Sequence, residues 1–379
     1  MKKSLVALAV LAATGAFAQS SVTLYGRLDL GTGTAKTNTT TAAGVTTTSK
    51  TTELAGAENN WTGSRLGVRG SEDLGGGLKA NFAYEFRLAP DAVTAAGVTG
   101  SNFGRTRTAL LQVAGGFGSV TIGTYLNPFD DIRLGAGIYG GSTPIPGAYT
   151  LDKSPIALNA RSTNSIGYRS PVFAGGFTAS IGTSLQRTES SVTNDNKTSG
   201  YIGSLGYANG PINVLAAYGI GRTKVSTDAV ILPFAAAASN EIRVKDFALK
   251  ASYDLGVAIP YVQYENVRAT STNLISTAQG STNSRGFEIG STFPMGAFTP
   301  YVVVASNKFT PAATGGFAAP GVTLNSANPT KVTAFQLGTK YDLSKRTFVY
   351  GGVGSSKSTI SNVSTAKSTG YGLGLVHNF

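Results

Sequence analysis

Residues Ser64–Gly70 read SRLGVRG, and after a short glycine run Leu78–Leu88 read LKANFAYEFRL. Both segments alternate with a period of two. Leu78, Ala80, Phe82, Tyr84, Phe86 and Leu88 fall on one side; Lys79, Asn81, Ala83, Glu85 and Arg87 fall on the other. Successive side chains of a strand point to opposite faces of its sheet. Each segment is therefore a ribbon with one apolar and one charged face. The charged face holds too many arginines, lysines and glycines to form a packed core. If the apolar face meets lipid, Leu66 and Val68 point outward and Arg65 and Arg69 point into water. An arginine on the lipid face at mid-depth costs about 2–4 kcal/mol, whereas one in an aqueous lumen stays hydrated. Arg65 and Arg69 stand four residues apart, about 13 Å along a strand, so they line different levels.

The same pattern recurs along the chain. Val22, Leu24, Gly26, Leu28 and Leu30 oppose Thr23, Tyr25, Arg27 and Asp29; near the end, Tyr371, Leu373, Leu375, His377 and Phe379 oppose Gly370, Gly372, Gly374, Val376 and Asn378. No convincing helix is evident. Tight links rich in Gly, Asn, Pro and Asp, such as Leu74-Gly75-Gly76-Gly77 and Ala208-Asn209-Gly210-Pro211, carry turn chemistry. They alternate with long polar links, among them Gly33 to Glu58, Asn127 to Leu158, Thr223 to Asn240 and Thr270 to Thr282. About seven tight turns and about eight long links give about sixteen strands. The spacing predicts an all-β fold, a sixteen-stranded antiparallel transmembrane β-barrel with both termini on the periplasmic side. Closure pairs every backbone N–H and C=O, as lipid requires.

The N-terminus agrees. Met1-Lys2-Lys3, an apolar run from Leu5 to Ala13 and Ala16-Phe17-Ala18 predict a secretory signal over residues 1–18, leaving the barrel domain as 19–379. The chain has no cysteine, so an exported protein of this kind relies on packing and hydrogen bonding. Net charge is +12, or +10 without Lys2 and Lys3. Such an excess suits anionic solutes or membrane surfaces; export argues against nucleic acid. A soluble all-β adhesin would need a tight apolar core. A hydrolase built in a barrel generally needs a histidine base, and the single histidine, His377, lies in the lipid-facing register. Metal sites lack His and Cys, no cofactor is expected, and Gly31–Lys36 has the wrong spacing for a phosphate loop.

The segment from Tyr371 to Phe379 resembles the terminal strand of outer-membrane porins, with the final Phe379 backed by His377 and Leu375 as the signal read by the barrel assembly machinery. Ser21–Gly26 followed by Asp29, the run Ser64–Ala80, and Phe117–Thr124 leading to Asn127-Pro128-Phe129-Asp130 resemble the general diffusion porins of Gram-negative bacteria, in particular their beta-proteobacterial branch. The resemblance implies a homotrimer of barrels in outer-membrane lipid and lipopolysaccharide. Each barrel would pass small hydrophilic solutes and inorganic anions, with the third external loop folded into the lumen. A substrate-specific channel, for phosphate or an organic anion, is the alternative; lumen aromatics are expected to be few (Tyr25 and Tyr261).

The resemblance also implies a constriction. Arg65, Arg107 and Arg161 match wall arginines that face the inserted loop, with Arg105 able to replace Arg107. Asp130 either anchors the loop or faces the arginines, and Asp131 adds to the loop's charge. The loop lacks the Pro-Glu-Phe-Gly-Gly type motif of cation-preferring relatives; its acids are Asp130, Asp131 and Asp152, partly cancelled by Arg133 and Lys153. Arg27, Arg69, Lys79, Arg87 and Arg105 are expected as further basic lumen residues, Arg69 pairing with Glu72 or Glu85. A wide pore selects through such rings of charge, so the expectation is an anion preference.

Overall fold

The alternating segments become strands, and the strands close into one wall. The computed structural model describes residues 21–56, 63–88, 103–133, 157–158, 160–188, 195–227, 238–273, 279–310, 317–319, 322–324 and 328–379. Met1–Ala18, the expected signal, lies outside the described residues. The first half of the chain forms β1 (Ser21–Thr41), β2 (Thr46–Gly56), β3 (Arg65–Gly75), β4 (Leu78–Leu88), β5 (Phe103–Gly115) and β6 (Gly118–Leu126). A short helix α1 (Pro128–Arg133) then precedes β7 (Arg161–Arg169), β8 (Phe177–Thr188) and β9 (Asp195–Asn209). The remaining strands are β10 (Ile212–Thr227), β11 (Ala238–Tyr253), β12 (Ile259–Asn273), β13 (Gln279–Thr292) and β14 (Phe298–Thr310), then β15 (Phe317–Ala319) and β16 (Val322–Leu324), a separate hairpin. β17 (Thr330–Asp342), β18 (Thr347–Ile360) and β19 (Ser364–Asn378) complete the wall.

β2 and β3 share one place in that wall. β1 pairs with β3 up to Arg27↔Arg65 and with β2 from Gly31↔Gly56. Counted as one, they make sixteen antiparallel strands of the seventeen-stranded sheet. β19 pairs with both β18 and β1, which closes the barrel. The last rung is reciprocal: the amides of Gly26 and Phe379 each donate to the other's carbonyl at 3.1 Å. The Phe379 ring lies on Gly26, where any Cβ would sit 2.3 Å from the ring.

Burial is inverted relative to a water-soluble sheet. Val22 and Leu24 are each 67% exposed on the outer face, while Asp29 and Asp246 are wholly buried on the inner one. The expected turns are present. Gly75, Gly76 and Gly77 all hold positive φ at the β3–β4 link, a conformation that costs glycine nothing sterically. On the inner face towards the periplasmic end, Tyr261, Tyr301, Val303, Tyr350 and Val376 form a buried apolar lining.

Four expectations need correction. Gly33–Glu58 is largely not a loop: β1 and β2 run on as a paired hairpin with register Thr40↔Thr46 to Gly33↔Glu53. Its threonines are β-branched and bond across the strands, as Thr34 to Thr52 at 3.2 Å and Thr40 to Thr46 at 2.8 Å. For the same reason β10 to β13 extend into the polar links Thr223–Asn240 and Thr270–Thr282. A helix does exist: Asn127 caps α1 by accepting the Phe129 amide at 3.1 Å, and Pro128 supplies the first helical position. Lumen tyrosines are more numerous than Tyr25 and Tyr261, since Tyr301 and Tyr350 also face inward. They were hidden because each is laid against a glycine directly across the ladder, Gly338 and Gly374.

Candidate pore constriction

Four arginines stand side by side on adjacent strands. Arg27 of β1 pairs in register with Arg65 of β3, and Arg65 with Arg87 of β4. Arg107 joins them from β5 through a bulge. Glu85 opposes Thr108 and Phe86 opposes Thr106, so Arg107 is the extra residue and turns inward beside Thr108. Its Nε donates to Glu85 Oε1 at 2.7 Å, and Arg65 lies 3.8 Å from the same oxygen. Tyr25 donates its hydroxyl to the other Glu85 oxygen at 3.3 Å. One carboxylate thus sits among the guanidiniums of a like-charge row. Arg27 is held by Asn378 at 2.6 Å. The side chain of Arg105, offered as a substitute for Arg107, lies outside the described residues.

Asp29 supports this row from behind. It accepts the Gly63 amide at 3.1 Å and the Tyr350 hydroxyl at 2.9 Å, while Ser64 bonds its backbone. These contacts staple the place where β2 gives way to β3, directly ahead of Arg65. Arg69 lies lower on β3. The expected pairing with Glu72 or Glu85 is not what it makes: its guanidinium lies 5.1 Å from the Tyr25 ring centroid. Glu85 is already taken by arginines one level up. Lys79 occupies an exposed position at the periplasmic end of the inner face of β4.

The helix α1, at the start of the connection between β6 and β7, packs against the inner face of the wall. Phe129 and Ile132 are buried against inward-facing Ala217 of β10 and Ala248 of β11, with Leu158 joining them. Gly219 makes room: a Cβ there would sit 2.5 Å from Leu158 and 3.0 Å from Phe129. The anchor of the loop is Arg133, not Asp130. Arg133 donates to Asp246 at 2.8 Å, through Nε to Glu265 at 2.8 Å and to the Leu158 carbonyl at 2.5 Å. Asp246 also accepts the Leu158 amide at 2.9 Å, so one carboxylate holds both the beginning and the end of the connection. Nothing in the sequence marks this triad, because Arg133, Asp246 and Glu265 are far apart along the chain and each reads as one more polar-face residue.

Asp130 lies within the charge field of Arg161, Arg107 and Arg133. It lies on α1, outside the spanning strands. Burial pushes its carboxyl above the usual range and neighbouring Asp131 adds to that, while the charges of Arg161, Arg107 and Arg133 oppose it. Asp131 is exposed, and its carbonyl accepts from Lys250 at 3.1 Å. Arg161 opens β7 beside this end of the helix. Arg65 and Arg107 thus meet at Glu85, and Asp130 feels the charges of Arg107 and Arg161. Arg27 and Arg87 stand directly beside Arg65, and only the strand register reveals it. Asp152 and Lys153 lie outside the described residues.

A profile described as Gram-negative porin matches residues 4–361. The chain belongs to that family. Outer membrane porin protein 32 of Delftia acidovorans is 36% identical over 268 residues, covering 68% of this chain and 67% of the relative. The major outer membrane protein P.IB of Neisseria gonorrhoeae is 28% identical, with 94% and 96% covered. Among solved structures, the anion-selective porin from Comamonas acidovorans superposes with a TM-score of 0.60 at 26% identity, over 95% of this chain and 100% of that one. The porin is accordingly a passive outer-membrane channel of a beta-proteobacterial type, and not an enzyme. His377 fits this: it faces outward, its Nδ1 2.9 Å from the Thr347 hydroxyl.

Proposed function

We propose that this porin is a general diffusion channel that prefers anions. The observation that carries the reading is the row Arg27–Arg65–Arg87–Arg107, four guanidiniums on adjacent strands with Glu85 and Asp29 as the carboxylates beside them. Opposite them α1 brings Asp130 and Asp131, while Arg133 spends its charge on buried Asp246 and Glu265. An excess of one sign lining a narrow aqueous gap with low-dielectric walls concentrates counter-ions. The anion selectivity named for the Comamonas acidovorans relative points the same way. In this reading Arg65, Arg107, Arg161, Asp130 and Asp131 line the narrowest level, and the third external loop makes that level narrow. Arg69 and Lys79 form a basic approach on the periplasmic side.

The working unit is a homotrimer in outer-membrane lipid and lipopolysaccharide. Residues 1–18 are the export signal, and Phe379 with His377 and Leu375 is the segment read by the barrel assembly machinery. Loss of slow gel migration on heating checks the trimer. The decisive test is the zero-current potential of reconstituted channels in a potassium chloride gradient. Its sign should show chloride favoured over potassium; a potassium preference overturns the proposal.

A recess of about 360 Å³ beside α1 keeps the substrate-specific alternative in view, because Thr108, Gln112, Tyr125, Asn127 and Ser162 give it a hydroxyl and amide lining. Saturable block of conductance by phosphate or an organic anion would select it; conductance linear in every solute would remove it.

A further inference from the structure

One lumen tyrosine departs from the pattern of the others. Tyr25, Tyr261, Tyr301 and Tyr350 each lie against a glycine directly across the ladder, at Gly67, Gly290, Gly338 and Gly374. Tyr25, Tyr261 and Tyr350 donate their hydroxyls to Glu85, Glu288 and Asp29. Tyr125 of β6 is also laid over glycine: a Cβ at Gly167 would sit 2.4 Å from its hydroxyl, and one at Gly182 3.3 Å. That hydroxyl meets no acceptor among the described residues, and the side chain is only part-buried. It ends in the recess of about 360 Å³ beside α1. Small-molecule sites usually measure about 300–1,000 Å³.

The register shows why room is left there. One rung of the inner wall reads Asn81, Gln112, Thr121, Gly167 and Gly182 from β4 to β8. Its first three side chains form a relay. Asn81 Nδ2 donates to Gln112 Oε1 at 3.1 Å, and Gln112 Nε2 donates to Thr121 Oγ1 at 3.0 Å. Thr121 accepts from behind, so its own O–H remains to donate into the recess. Two glycines follow side by side, a stretch of wall two strands wide with no side chain of its own. Near α1, Asn127 Nδ2 donates to Ser162 Oγ at 3.2 Å, which again leaves a hydroxyl proton to offer. Arg169 and Asp131, one charge of each sign and both exposed, also line the recess. Unlike the arginine row, its lining therefore has no excess of either sign.

We propose that this recess binds a neutral polyhydroxylated solute, a monosaccharide or a linear polyol. The proposal rests on the reading of the barrel as an open channel but not on its ion preference. The chemistry fits in three ways. The Tyr125 ring offers an apolar body to the C–H face of such a solute and a polar tip to its rim. Thr121 and Ser162 offer directed hydroxyls on either side of that ring, each held from behind by an amide, and placed polar groups of this kind set orientation in a small-molecule site. A phosphate or carboxylate would gain from Arg169 and lose to Asp131, whereas an uncharged solute meets neither a net attraction nor a repulsion.

The test records single-channel current of the full porin in potassium chloride while D-glucose is added. Triethylene glycol dimethyl ether, of similar mass and without hydroxyls, is the neutral control, and inorganic phosphate is the anionic one. The expected result is block that saturates with glucose, beyond the linear fall that both neutral solutes cause by raising viscosity. Thr121→Val should raise the half-blocking concentration about fivefold, and Tyr125→Leu about tenfold. Where Tyr125→Leu carries no current, Tyr125→Phe takes its place, with an expected rise of about fivefold. Gly167→Ala keeps every hydroxyl but pushes the tip of Tyr125 from its seat, and it should weaken the block as well. Equal block by the ether overturns the proposal in favour of simple occlusion. Saturable block by phosphate and not by glucose overturns it in favour of an anion site. Undiminished glucose block in conducting Thr121→Val and Gly167→Ala proteins also overturns it. Magnetic saturation transfer from the porin to glucose, with no current through the wild-type protein, would instead undo the channel reading alone.

Discussion

Two sides of the same lumen use arginine in opposite ways. On β1 and β3 to β5, Arg27, Arg65, Arg87 and Arg107 crowd together around Glu85. On β11 and β12, Asp246 and Glu265 are almost fully buried, and a single arginine from α1 answers both. The first side keeps an excess of charge where water can carry its field to a passing ion. The second consumes charge in a closed contact. On the proposed reading, an arginine facing the pore tunes which ions enter, whereas the arginine sealed against two carboxylates fixes α1 to the wall. Net charge along the chain does not distinguish the two.

Breaking the sealed side should give the largest effect. Arg133→Ala leaves two buried carboxylates without their partner, a loss of about 3–5 kcal/mol. The expected outcome is a lower thermal unfolding midpoint together with larger and noisier single-channel conductance. Unchanged conductance would mean that α1 keeps its place without the triad. Next is Tyr350→Phe. It removes the 2.9 Å bond to Asp29 behind the arginine row, worth about 1.5–3 kcal/mol for a charged acceptor. Denaturant unfolding should register that loss while ion preference holds.

Changes on the open side should be smaller in energy and visible mainly in selectivity. A unit charge about 6 Å from an ion contributes about 0.7 kcal/mol in a water-like dielectric, roughly threefold in local ion concentration. Arg65→Ala and Arg107→Ala should each lower the chloride preference by about that factor, read from the zero-current potential. The smallest effect comes from Asp130. Its carboxyl is raised by burial, so acidification protonates it before an ordinary aspartate and removes one negative charge from the level. Anion preference should therefore increase as pH falls from about 7 to about 4. Asp130→Asn should already show the higher preference at neutral pH and lose part of the pH response.

The barrel was legible in the sequence because a wall between lipid and water forces alternation on every strand, as in Leu66 and Val68 against Arg65 and Arg69. Arg65 and Arg107 were legible through their strand motifs. Arg27 and Arg87 were visible as inward residues, but their level depends on register, which alternation alone does not fix. The Arg133 triad was not legible, because Arg133 and Glu265 are 132 residues apart and meet only once the barrel is closed. The β1–β2 hairpin was misread as loop because its polar threonines mimic loop composition while keeping strand geometry. The helix α1 was too short to show a period, although Asn127-Pro128 spelled out its start.

The closing seam has a consequence for how such a chain comes into being. Thirteen of the wall's sixteen contacts between neighbouring strands are made by strands that follow one another closely, and two more span the α1 connection and the β15–β16 hairpin. The last joins Arg27 to Asn378, 351 residues away. Bringing ends so distant together costs about 5 kcal/mol of chain entropy, none of which is recovered until the first rung of the seam forms. Until then two whole strand edges carry unanswered amides and carbonyls, which hydrocarbon cannot solvate. A half-built sheet therefore has no stable resting place in the bilayer unless something else occupies both edges while it waits.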